Sequence, residues 1–288
     1  MCLCCETLST PPAGPWHARR AFMLAAAGAA LAGTPALAQV DVGRPSMARN
    51  LVPAANIEQA GVQQYAQLLA QARAKGALAG DDHAQLRRLR AIAQRLIPFT
   101  TPWNERAPQW KWEVNLIGSP QINAFCLPGG KIAFYTGIID KLQLTDDEIA
   151  MVMGHEMAHA LREHARARLA KSTGTGAALS IGAQLLGLGE LGNLGARATT
   201  QLITLKFSRN DETDADLVGL DLAARAGYNP QASVALWKKM AAASKNQGGL
   251  SFLSTHPSGP DRIRILEANV PKVEGLYRAS ARRAGAVR

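Results

Sequence analysis

Residues 145–168 read Thr145-Asp146-Asp147-Glu148-Ile149-Ala150-Met151-Val152-Met153-Gly154-His155-Glu156-Met157-Ala158-His159-Ala160-Leu161-Arg162-Glu163-His164-Ala165-Arg166-Ala167-Arg168, and the rest of the chain is read outward from them. Thr145 followed three residues later by Glu148 has the capping-box order that starts a helix. The apolar period then continues to about Arg168, which predicts one long helix. Within it His155 and His159, four residues apart, share a face and can both reach one cation. Neutral imidazole nitrogen suits Zn2+. The flanking Ile149, Ala150, Val152 and Met153 are as apolar as a buried metal-binding helix requires. Such a metal polarises a carbonyl and acidifies a bound water, and Glu156 then stands as the base that takes the water's proton, not as a ligand.

A catalytic zinc takes three protein ligands and keeps one position open for water. About fifty residues downstream, Glu212-Thr213-Asp214-Ala215-Asp216 opens another predicted helix, 210–226, and Glu212 is the candidate third ligand. Asp216, one turn later on the same face, is placed to accept the spare N–H of a ligating histidine. Asp211 and Asp214 face away and read as capping or solvated residues. His164, with Arg162, Glu163 and Arg166 around it, reads as a surface histidine, and His83 as part of a helix start.

Upstream, 58–96 is helical in pattern, broken at Gly80-Asp81-Asp82 and ended by Pro98 and Pro102. Trp110 to Ile117, Asn123 to Leu127 and Lys131 to Tyr135 read as short strands, the last two joined by the turn Pro128-Gly129-Gly130. Downstream, 231–243 and 259–269 are helical in pattern, and the basic tail 278–288 is expected to be disordered. Segment 172–198 is rich in Gly, Ala and Leu, a flap over a cleft or a shallow membrane contact.

The N-terminus differs from all of this. Arg19-Arg20, the apolar Ala21 to Ala32 and the small Ala36-Leu37-Ala38 have a signal peptide's order, so 1–38 is expected to be a cleavable leader and 39–56 a mobile link to a domain at 57–277. An apolar run of about a dozen residues is too short for a membrane helix, which needs ~20. Both twin-arginine and ordinary unfolded export stay open. Cys2, Cys4 and Cys5 fall in the leader, which leaves Cys126 alone and excludes an internal disulfide after cleavage. The net charge of +10 belongs to the domain, since the leader contributes only +1. Scattered arginines read as solvated helix faces, and export speaks against nucleic acid as a partner.

Five motifs together resemble metallopeptidase family 48, zinc proteases of the HtpX and BepA kind related to the CAAX prenyl proteases. They are Asn123 to Gly130, Gly154 to Ala160, Glu212 to Asp216 with Gly219, Ala226-Gly227-Tyr228-Asn229-Pro230, and Ser254-Thr255-His256-Pro257 followed by Arg262. The resemblance spans roughly residues 90–270. It implies an α+β, mostly helical gluzincin (zincin) fold with a small, mainly antiparallel sheet beside the metal helix, and one Zn2+ per chain held by His155, His159 and Glu212. It also implies that Asn123, Ala124 and Phe125 lie on an edge strand to which substrate backbone pairs. Two roles for His256 stay open, stabilising the oxyanion with Arg262 nearby or ligating zinc and blocking the open position. The function so implied is an endopeptidase of unfolded or misassembled cell-envelope proteins in the periplasm, serving quality control. The alternative is a zinc-stabilised, chaperone-like binding module whose site is shut by His256.

Overall fold

In the computed structural model, the structure describes residues 40–172, 202–246, 251–256 and 261–286. The expected leader and the Gly- and Leu-rich segment from 173 onward lie outside the described residues.

Helix α1 (Ala54–Ala74) and helix α2 (Ala84–Leu96) each bury one apolar stripe, Ile57, Tyr65 and Ala72 on the first and Leu86, Leu89, Ile92, Ala93 and Leu96 on the second. Three short strands follow, β1 (Glu113–Ile117), β2 (Ala124–Leu127) and β3 (Lys131–Tyr135), in the order β1-β3-β2. The fold class is the expected one, but the sheet is mixed rather than mainly antiparallel. β2 and β3 are the antiparallel hairpin, whereas β1 runs parallel to β3 with Glu113 opposite Lys131. Residue alternation reports which face is buried and carries no information on strand direction, so the parallel pair was not legible. β2 is an edge strand, and helix α4 packs against it.

Helix α3 (Thr136–Leu142) leads into helix α4 (Asp146–Leu161), which starts at the predicted capping box: Thr145 accepts from the Glu148 N–H and the Glu148 side chain bonds back. Every α4 residue from Glu148 onward is buried. The predicted single helix is broken at Arg162-Glu163. Glu163 adopts a left-handed backbone (φ 57°), and helix α5 (His164–Ser172) leaves in a new direction. The Glu163 carboxylate is held there by the local Arg166 (2.7 Å) and by Arg49 (3.0 Å), a distant partner that local sequence does not reveal.

Helix α6 (Arg209–Arg225) crosses α4 at two glycines. A Cβ on Gly154 would stand 2.8 Å from the Gly219 carbonyl oxygen, and one on Gly219 would stand 2.6 Å from the His155 nitrogen. Only residues without side chains allow backbones this close. The contact lies beside His155, so it sets how near α6 brings its acidic residues to the histidines. Helix α7 (Ala232–Asn246), the short α8 (Ser251–Thr255) and helix α9 (Asp261–Ala286) close the core, α9 packing on α6 and α7. The helix predicted to end near residue 269 continues through Pro271 into the tail, because Leu266, Val270, Val273 and Leu276 bury one continuous face.

Nor are residues 40–56 a free link. Val40 is 5% exposed within the core, Met47–Leu51 forms a 3-10 helix, and Arg162 donates to the Gly43 carbonyl (2.9 Å). Among the described residues no helix is long and apolar enough to cross a membrane.

Candidate metal centre

Helix α4 presents His155 and His159, the first turn of α6 presents Glu212, and His256 closes the group from the end of α8. All four are buried, and one donor atom from each lies within 4.8 Å of the others. His155 Nε2 is 3.2 Å from His159 Nε2, 3.3 Å from His256 Nδ1 and 3.4 Å from a Glu212 oxygen. The other Glu212 oxygen is 3.5 Å from His159 Nε2 and 3.1 Å from His256 Nδ1. Ligands tetrahedrally placed at zinc-like bond lengths of 2.0–2.1 Å are about 3.3 Å apart. The donor set and its spacing therefore fit a tetrahedral cation.

The surroundings hold these donors in register. His155 Nδ1 is 3.0 Å from Asp216 Oδ1, the contact expected from one helical turn of spacing. Arg262, 5% exposed, donates twice to Asp216 (both 2.7 Å) and once to Glu212 (2.8 Å), and its guanidinium lies 3.5 Å over the Trp237 ring. Its charge is thus paired with the donor Glu212 and with Asp216 behind His155. His159 stacks on Phe207 and His256 on Phe252, with ring centroids 4.0 and 4.4 Å apart.

Charges follow the geometry. Burial pulls the His155 pKa down, but the hydrogen bonds to Asp216 and Glu212 win and raise it to about 9. For Glu212 burial pushes upward and the His155 and His256 contacts win, holding the carboxyl well below its usual range. Burial, helped by neighbouring histidines, keeps His159 far below 6.5 and hence neutral, the form that ligates. Glu156 is raised by burial, partly offset by His256 and His155. Its Oε1 makes no hydrogen bond and points to the site, with His256 Nε2 at 3.5 Å.

On β2 the three expected substrate contacts divide. Asn123 accepts a hydrogen bond from Tyr135 N–H at its backbone and one from Ala124 N–H (3.0 Å) at its side chain. Antiparallel alternation then turns the backbone of Ala124 and of Cys126, not of Phe125, to the free edge. The Phe125 side chain packs inward with Ile117, Ala133 and Leu169.

Two residues beside the site were missed. His164 is 5% exposed, with Nδ1 3.0 Å from His159 Nδ1 and Nε2 3.0 Å from Asp214 Oδ2. Asp214 also accepts from Arg162 (2.8 Å). His164 reads as exposed from its charged neighbours and Asp214 from facing away from Glu212 and Asp216, yet Arg162 pairs with Asp214 itself and Glu163 with Arg49. Asp211 does cap α6, through Ser208.

Comparison with known proteins gives a match of residues 83–270 to the model of Peptidase family M48. The chain is 37% identical over 165 residues to the mitochondrial metalloendopeptidase OMA1 of Schizosaccharomyces pombe, covering 57% of this chain and 48% of that protein. It is 36% identical over 182 residues to the mitochondrial metalloendopeptidase OMA1 of Saccharomyces cerevisiae (59% and 50%). With the metalloprotease LoiP of Escherichia coli it shares 30% identity over 151 residues (50% and 57%). The chain thus spans about half the length of these curated relatives. The periplasmic location expected from the leader is corrected by the two mitochondrial relatives. A basic, acid-poor N-terminus is a property that leaders for different compartments share.

Proposed function

Because this chain belongs to peptidase family M48, we propose that it is a zinc-dependent endopeptidase acting on unfolded or misassembled proteins. The observation that carries the reading is a buried set of histidine and glutamate donors 3.2–3.5 Å apart beside a glutamate whose Oε1 makes no hydrogen bond. His155, His159 and Glu212 hold the ion. When bound, Zn2+ supplies Lewis-acid polarisation of the scissile carbonyl and an acidified water. Glu156 takes the proton from the attacking water and returns it to the leaving amine. The Ala124 carbonyl and the Cys126 backbone, on the side of β2 turned away from β3, align an extended substrate beside helix α4, a mode open only to a segment that is unfolded or locally unravelled.

A second reading is favoured by His256. With its Nδ1 at ligand spacing the four donors come from the protein, and the position that a catalytic zinc reserves for water is taken. The chain in that state is a zinc-stabilised, chaperone-like binding module. One experiment separates the two readings: cleavage of unfolded casein by the full chain, stripped of metal by chelation and then given one equivalent of zinc, for wild type and His256→Ala. Zinc-restored cleavage by wild type supports the peptidase, and faster cleavage by His256→Ala identifies His256 as a block. Tight zinc binding with no cleavage by either protein would leave the binding module as the function.

A further inference from the structure

The two motif histidines meet their supporting carboxylates differently. His155 reaches Asp216 directly, whereas His159 reaches Asp214 only through the ring of His164. Asp214 Oδ2 accepts from Arg162 Nε at 2.8 Å, and Arg162 is anchored on the other side by the carbonyl of Gly43. An oxygen so held acts as an acceptor, and His164 Nε2 donates to it. With its proton on Nε2, His164 offers a lone pair at Nδ1. The 3.0 Å contact between the two Nδ1 atoms then requires the proton to sit on His159. The far nitrogen of His159, Nε2, is left bare, facing His155 Nε2 and Glu212.

We propose that His164 and Asp214 are positioning residues that fix the ring and the proton of His159 so that its Nε2 is the ligating atom. This rests on the reading of His159 as a metal ligand. The break at Glu163 makes it feasible, since the left-handed turn swings His164 back over the preceding helix instead of onward along it. His164 meets the donor group at the far side of the His159 ring and Asp214 meets His164, so their effect passes through His159. Supporting partners of this kind typically carry 10–100-fold in metal affinity.

The test is zinc affinity of the full chain, measured by competition with a chromogenic chelator, for wild type, His164→Ala and His164→Asn. The melting temperature of each metal-free protein serves as the control for folding. Asn places an acceptor oxygen near the position of His164 Nδ1, whereas Ala places none. The expected result is a loss of about 10–100-fold in His164→Ala and recovery to within about threefold of wild type in His164→Asn. Equal affinity in wild type and His164→Ala would overturn the proposal. So would equal losses in Ala and Asn, because the residue would then serve only packing. A wild type that binds no zinc would instead refute the metal centre itself, an outcome distinct from either.

Discussion

Replacing Glu156 by Gln lowers the rate of peptide hydrolysis by about 10²–10⁴-fold, the range that a positioned general base contributes, while zinc stays bound at one equivalent. Gln keeps the volume and one acceptor but cannot take a proton. Glu156 is 2% exposed and its Oε1 makes no hydrogen bond, with only His256 at 3.5 Å, so the substitution removes a buried charge that is partly compensated at most. The variant is therefore expected to fold at least as stably as wild type, which separates loss of chemistry from loss of structure. Single-turnover cleavage of a labelled unfolded protein, with zinc content and melting temperature on the same samples, is the measurement. Undiminished cleavage would remove Glu156 from its role.

The second large effect is on stability. Arg262→Met leaves Asp216 and Glu212 buried without the cation that now bonds both, and removing one partner of such a group costs about 3–5 kcal/mol. Met fills much of the space over Trp237, so a cavity contributes little. Urea unfolding of the metal-free proteins should show the full loss. Zinc should return part of it, because ion binding to the folded state alone stabilises that state and neutralises Glu212. Activity should fall together with bound zinc; a variant that keeps its zinc and fold but loses kcat would mean that Arg262 acts on the substrate after all. A loss below about 1 kcal/mol would show that the two carboxylates are satisfied by the histidines alone.

The parts of this molecule legible in sequence are those written by local rules. The start of α4 was legible because Thr145 and Glu148 cap it, and Lys131–Tyr135 because a two-glycine turn precedes it. That Asp216 supports a ligating histidine needed only the spacing of four between Glu212 and Asp216 on one helix; that the histidine is His155 needed the structure. What failed depends on distant partners. Glu163 carries no glycine or proline to mark a break, and the turn is held by Arg49, 114 residues away. His164 and Asp214 are 50 residues apart, and the polar residues around them that suggested solvent are each other's partners. The strap at Val40 reads as linker because its value lies in the pocket that receives it.

The meeting of Gly154 and Gly219 has one more consequence. Because backbone touches backbone there, the gap between the two ligand-bearing helices is a fixed calibre that no side chain can tune. Calcium, with bonds of 2.3–2.6 Å and six to eight oxygen ligands, would need donors spread to about 4 Å and many more of them. A donor spacing tighter than calcium requires thus depends on two glycines that carry no donor themselves.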